Sequence, residues 1–369
     1  VLLSIALSLV STALAGDGLY ATSADLPELV SVIVGEVEFG ARGDERGPIG
    51  GGAGCAEILT GGDHSVRSAA ELVAVLELVE AGEVVFFPGD AEIDLTARVH
   101  IEGLQLVIPG GVTLASDRGR EGSLGALIFS DALKTQPLLV TGGEGVRLTG
   151  LRLRGPDAER RIEHHRRAYR MGAESQGSSY YYKLPTSDGI RALHDRLSVD
   201  NCELAGWSHA AVDLRRGDGH VVRHSFLHHN QRQGLGYGVC LDIASATIER
   251  NLFDWNRHSI AGTGRPGCSY IARHNVERGE SLSHCFDMHG GRDRKDGTDI
   301  AGTRIVYERN TFLGTALAIK IRGTPEESVS VEGCWFRRAG VPHNIVAEGC
   351  LRVGANAYGL TEPVVIDGR

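Results

Sequence analysis

Glu249-Arg250-Asn251-Leu252-Phe253, Ala272-Arg273-His274-Asn275-Val276, Glu308-Arg309-Asn310-Thr311-Phe312 and Glu332-Gly333-Cys334-Trp335-Phe336 are versions of one phrase. Weaker copies precede them at Asp200-Asn201-Cys202-Glu203-Leu204 and Arg223-His224-Ser225-Phe226-Leu227. The phrase returns roughly every two to three dozen residues, beside short β-branched or aromatic runs. A period of that length marks one turn of a solenoid, whose repeats bury their apolar faces only by stacking on one another. The fold expected is all-β, a parallel β-helix with an N-terminal capping helix.

The strand before each phrase carries a second pattern. These strands read Ile190-Arg191-Ala192-Leu193, Val212-Asp213-Leu214-Arg215, Leu241-Asp242-Ile243-Ala244, Ile260-Ala261-Gly262-Thr263, Phe286-Asp287-Met288-His289 and Ile319-Lys320-Ile321-Arg322. Their first and third positions are apolar on nearly every repeat and so face the core, because side chains alternate along a strand. The other positions then face solvent and stack about 4.8 Å apart. One expected column is Arg191, Asp213, Asp242, Ala261, Asp287, Lys320; the next is Leu193, Arg215, Ala244, Thr263, His289, Arg322. A slip of one residue would turn every side chain to the other face.

The 50 glycines among 369 residues are about twice ordinary usage and fall between apolar runs, which favours a turn-dense β protein over disorder. A net charge of −9 argues against general nucleic-acid binding. The apolar run 1–15 ends Ala13-Leu14-Ala15, like the core and cleavage site of a secretory signal peptide with its basic n-region truncated. Secretion or periplasmic export is expected, with no membrane span and no nucleic-acid partner, as a monomer. Seven cysteines show neither metal spacing nor a CxxC pair, and read as small buried fillers.

Residues 16–64 form a Gly-rich N-terminal segment, with 40–62 reading as a linker or entry loop. The solenoid is expected over 65–369. Ser68-Ala69-Ala70-Glu71 fits a capping box before Leu72, Val75, Leu76 and Val79 at helical spacing. The stretch 155–187 breaks the rhythm with clustered Arg and His and then Tyr180-Tyr181-Tyr182-Lys183. It is either a solvated loop or a clamp whose cations and rings, Tyr181 among them, grip an anionic or sugar ligand. His228, His229 and His274 read as turn or surface residues.

The Gly-punctuated coils, the N-terminal helix, the leader and the recurrent Asn resemble the right-handed parallel β-helix of the pectate-lyase-like superfamily over about residues 65–360. Gly111-Val112-Thr113-Leu114-Ala115-Ser116-Asp117-Arg118-Gly119 is similar to phrases in secreted bacterial β-helix proteins. That fold hosts lyases, glycosidases, epimerases and adhesins, so chemistry must come from the site.

The first chemistry expected is β-elimination on a uronate-containing polysaccharide. Lys320 is the candidate base, with Arg322 as the neighbour that depresses its pKa. His289 serves as acid or base, and Asp287, Asp242 and His258 complete the catalytic candidates. Arg257, Arg265, Arg191 and Arg215 are candidate clamps for substrate carboxylates. Asp213, Asp242 and Asp287 are candidate ligands for Ca²⁺. The Lys/Arg pair is similar to that of β-helix lyases acting on alginate and dermatan sulfate, although there the two groups sit on neighbouring coils. The second chemistry is glycoside hydrolysis by paired Asp. Here the resemblance is to polygalacturonase-type β-helices, but Lys320-Ile321-Arg322 reverses their Arg-Ile-Lys element, and the Asn-Thr-Asp and Gly-His-Gly triplets are missing. The third reading is a glycan- or surface-binding β-helix without turnover.

Overall fold

The computed structural model describes residues 29–170, 175–347, 349 and 351–359. The leader expected at 1–15 lies outside them. Short β-branched runs separated by glycine corners form strands of mostly two to five residues, and these assemble into one 18-stranded and one 10-stranded sheet. Both are parallel, with each strand paired to its counterpart in the next repeat. The larger sheet holds two ladders, joined where Ala210–Arg223 and Tyr237–Glu249 run through both. Parallel sheets of this length, with few helices, are what a parallel solenoid requires.

Inward columns make the core. Leu148, Val199, Val222, Ile248, Ala272, Tyr307 and Val331 stack in register. In the smaller sheet Leu204, Leu227, Phe253, Glu277, Phe312, Phe336 and Tyr358 do the same, with Phe312 and Phe336 stacked at 5.0 Å. Glu277 is therefore an acid in an aromatic stack. Neither of its carboxylate oxygens has a hydrogen-bond partner among the described residues, and burial pushes its carboxyl up to about 8.

The repeated phrase makes the corner between faces. Backbone N–H groups there have no sheet partner, and a buried donor must be satisfied. Asn251 Oδ1 accepts from Ser225 N, Asn275 Oδ1 from Asn251 N, and Asn310 Oδ1 from Asn275 N, all at 3.0 Å. Cys334 Sγ and Asn356 Oδ1 continue the ladder. The residues before Ser225, Asn251, Asn275, Asn310 and Cys334 have a positive φ: His224, Arg250, His274, Arg309 and Gly333. The six described cysteines are free, and five are buried. His224, His228, His229 and His274 are buried rather than at the surface. The N-terminal segment covers His224 through Pro48 O and Asp44.

The expected capping helix is Ala69–Leu76, with Ser68 Oγ accepting from Glu71 N at 3.3 Å and Leu72 buried against the main core. The expected linker is instead a strap. After the hairpin Ser31–Val34 and Val37–Gly40, the chain runs across the stacked corners. Gly40 N donates to Gly333 O at 2.8 Å, Gly50 N to Arg250 O at 2.9 Å, His224 Nδ1 to Pro48 O at 2.9 Å, and Gly52 N to Asn201 Oδ1 at 2.7 Å. Glycine serves close approach here rather than looseness: a Cβ on Gly51 would lie 2.1 Å from His224 O, at φ +71°.

Two outcomes follow. Gly51→Ala should destabilise the fold by about 2 kcal/mol or more in urea unfolding, whereas Gly61→Ala, with nothing within 4 Å of its Cβ, should stay within about 0.5 kcal/mol. Glu277 is an acid whose folded pKa of about 8 exceeds its ordinary 4.5, so the folded state binds the extra proton in that window. Its contribution is present at low pH and lost as pH rises through the window. Tm followed from pH 5 to about 8 should fall less in Glu277→Leu than in the parent chain.

Candidate functional site

Register decides which outward side chains meet. Arg191 pairs with Asp213, Asp213 with Cys240, Cys240 with Ala261, Ala261 with Asp287, and Asp287 with Lys320. Five of the six expected column members stand there. Asp242 does not, because Leu241 pairs with Leu214 and the strand is displaced by two residues from the expected alignment. A two-residue slip keeps the same face outward, so alternation alone cannot detect it. Asp242 falls in the neighbouring column, where Thr263 Oγ1 donates to it at 2.7 Å and Arg265 pairs with it at 3.1 Å.

The column was expected to face water, but its carboxylates are buried. Burying a charge is costly unless it is paired and hydrogen-bonded, and each carboxylate is. Asp287 accepts from Arg322 through two bonds, Nε to Oδ1 at 3.0 Å and Nη2 to Oδ2 at 2.8 Å. His289 Nε2 lies 2.9 Å from Oδ2, and His284 Nε2 lies 3.0 Å from Oδ1. Burial alone would raise the Asp287 carboxyl, but the bonds to His284 and His289 outweigh it and hold the group well below its ordinary value. Asp287 is thus a fixed anion that orients three cationic or imidazole groups.

His258 lies against the same carboxylate, with Nε2 at 3.9 Å from Oδ2. Its Nδ1 sits 2.6 Å from the carbonyl of His284, which can only accept, so Nδ1 carries the proton. Nε2 is left as a buried lone pair with no hydrogen-bond partner among the described residues. Burial, then the charge of Arg257, holds the His258 imidazole well below its ordinary value. His284 Nε2 also lies 2.9 Å from Arg322 Nη2. Burial lowers this imidazole too, so it is neutral near pH 7 and its Nε2 can donate to Asp287 or accept from Arg322, not both.

A related cluster sits on neighbouring rungs. Asp213 accepts from Arg191 Nε at 3.0 Å and Arg215 Nε at 2.7 Å, and Arg191 also reaches Asp188 at 2.8 Å. His209 bonds Asp188 through Nδ1. Burial opposes the charged His209 ring, but Asp188 prevails and raises its pKa.

The remaining candidates divide. Lys320 is half-buried beside Asp287, and among the described residues its amine makes no hydrogen bond or ion pair. Arg257 lies 5.9 Å from the centroid of the Tyr237 ring, next to His258. Arg265 belongs to Asp242, outside the Asp287 cluster. Tyr181 is no exposed platform: it is buried under Arg232 and donates to Gln233 O at 2.7 Å. Of the insertion, helix Ile162–Tyr169 comes close enough to Arg257 for its charge to act on His165, and helix Ser178–Tyr181 rests on the loop at Gln233. The proposed calcium set does not fit. Asp213 and Asp287 are three rungs apart, about 14 Å, Asp242 is in another column, and each is bonded to arginine. Calcium asks for six to eight converging oxygens.

Asp188, His209, Tyr237 and His284 were not anticipated. A signal existed: Asp188, Tyr237, His258 and His284 each stand two residues before the inward Ile190, Val239, Ile260 and Phe286. That position lies ahead of the alternating stretch and so escaped the period-2 pattern.

Asp287→Asn should leave Arg322 and its imidazoles without their anion and cost about 3 kcal/mol or more in urea unfolding. Asp242→Asn removes only a half-exposed pair with Arg265 and should cost under about 1 kcal/mol. No protein-family model matches this chain, and no curated protein or solved structure matches it significantly.

Proposed function

We propose that this chain is a right-handed parallel β-helix of the pectate-lyase-like kind, exported by its apolar leader, that cleaves a uronate-containing polysaccharide by β-elimination. One observation carries the reading: the strip buries Asp213 and Asp287 and leaves the arginines that hold them nearer the surface, beside the exposed Asp293. Asp213 and Asp287 have side chains 1% and 0% exposed, whereas Arg215, Arg191 and Arg322 show 39%, 26% and 21%, and Asp293 shows 36%. These arginines give a chain of net charge −9 local surface cations for an anionic polymer.

Elimination needs the uronate carboxylate neutralised, so that the C5 proton becomes acidic. Lys320, with no hydrogen bond or ion pair among the described residues, supplies that charge, together with Arg322, whose Nη1 is shared with Asp293 at 3.5 Å. His289 is the base. Its Nε2–H is committed to Asp287, leaving the Nδ1 lone pair, 4.0 Å from the exposed Asp293 carboxylate, to take the proton. The C5–H bond breaks, the C4–C5 double bond forms, and the C4–O bond breaks with its electron pair going to the glycosidic oxygen. That oxygen leaves protonated, from the imidazolium or from water. Lys320 thus moves from base to carboxylate holder, because the His289–Asp287 pair has the orientation a base requires.

Paired-carboxylate hydrolysis draws less support from the same face. One carboxyl must be a neutral acid before it can protonate the leaving oxygen. Asp287 is held ionised, and Asp213 and Asp242 accept from arginines.

Incubation with alginate, pectate and glycosaminoglycan panels should produce the ultraviolet absorbance of an unsaturated uronate. His289→Ala should lower that rate by about a hundredfold or more, and Lys320→Ala should raise KM more than it lowers kcat. New reducing ends without the absorbance would replace elimination with hydrolysis, and glycan binding without turnover would leave a docking surface.

A further inference from the structure

We infer that His258, His284 and Asp287 form a binding site for a first-row divalent transition metal of the zinc type, with the Arg322 guanidinium standing in the ion's place. The ligand atoms are His258 Nε2, His284 Nε2 and a carboxylate oxygen of Asp287, all within 4.8 Å of one another. The site shares its residues with the elimination reading, but it stands or falls on metal binding alone.

Two observations point to a cation there. The first is His258 Nε2, a lone pair on a side chain with no exposed surface, aimed at Asp287 and lacking a hydrogen-bond partner. Leaving such a group unmade costs free energy that hydrogen bonding elsewhere on the ring does not return. Its Nδ1–H is given to a backbone carbonyl, the arrangement that fixes the tautomer of metal-ligating histidines. The second is the conflict at His284 Nε2, which faces a carboxylate oxygen at 3.0 Å and a guanidinium nitrogen at 2.9 Å with at most one proton to arrange. A metal ion removes the conflict. The nitrogen and the oxygen both turn lone pairs to it, and Arg322 Nη2 withdraws.

The dimensions fit. Ligand atoms about 2.0–2.2 Å from a tetrahedral zinc stand roughly 3.3–3.5 Å apart. The observed 3.0 Å from His284 Nε2 to Oδ1 of Asp287 and 3.9 Å from His258 Nε2 to Oδ2 lie either side of that separation, with one imidazole facing each carboxylate oxygen. Two imidazoles and one carboxylate suit zinc, cobalt or manganese rather than calcium. His289 stays on Oδ2, the oxygen that faces His258, and holds the carboxylate in place.

The test uses the full chain, dialysed against chelator and titrated calorimetrically with Zn²⁺ alone, with the visible spectrum of bound Co²⁺ as a second readout. One saturable site is expected. His258→Ala should weaken it at least about tenfold, and Arg322→Ala, which deletes the competing cation, should tighten it. If His258→Ala does not fold, the tightening in Arg322→Ala still decides the matter. No saturable binding in either the parent or Arg322→Ala overturns the proposal, as does an affinity that ignores His258→Ala and His284→Ala. Metal binding without turnover supports this site and defeats elimination; turnover without metal binding does the reverse.

Discussion

A buried amide at each corner is the constraint on which the rest of the structure depends. Where the chain turns from one sheet to the next, an N–H points along the stack with no strand opposite it. Asn251, Asn275 and Asn310 accept that bond from the repeat before and pass on their own. Their Nδ2 groups donate to Val222, Ile248 and Ala272 carbonyls, so every arm of each amide is used. An unsatisfied buried donor costs about 1–3 kcal/mol, so the ladder makes one register far cheaper than its neighbours. The strap from 40 to 52 rests on these corners and closes them from solvent.

Because register is set, groups distant in sequence become neighbours. Asp287, Arg322 and His258 belong to three repeats and meet at one carboxylate. The ladders that align the core also align the outward columns, and a column of charge survives burial only if each rung neutralises the next. Asp213 between Arg191 and Arg215, and Asp287 against Arg322 and His289, meet that condition. The result is a face that buries Asp213 and Asp287 and leaves their arginines nearer the surface, with Asp293 exposed beside Arg322.

The architecture was legible because periodicity reports on it directly. The phrase around Asn251, Asn275 and Asn310 marked the repeats, and the apolar positions of Ile190, Val212, Ile260, Phe286 and Ile319 marked the inward face. Arg191, Asp213, Ala261, Asp287 and Lys320 were placed in one column on that basis, and they share it. Asp242 was misplaced because a shift of two residues preserves every feature that the alternating pattern measures. The strap escaped because glycine-rich composition is common to loose linkers and to backbone pressed against backbone. Tyr181 escaped for a similar reason: an aromatic run in a basic insertion has the same composition whether its rings face a ligand or lie beneath Arg232.

The sequence by itself determined the period of the repeat, the faces of its strands, the capping helix at Ser68 and the asparagine ladder, since each depends on contacts within one repeat or on one spacing recurring. Only the tertiary structure decided which rungs are adjacent, that Asp213 and Asp287 are buried, and that His258 and His284 converge on Asp287. Those facts depend on distances between side chains from different repeats, and on the burial that those distances produce. Neither is encoded in any local pattern, because the free energy of a buried charge is set by what surrounds it in space.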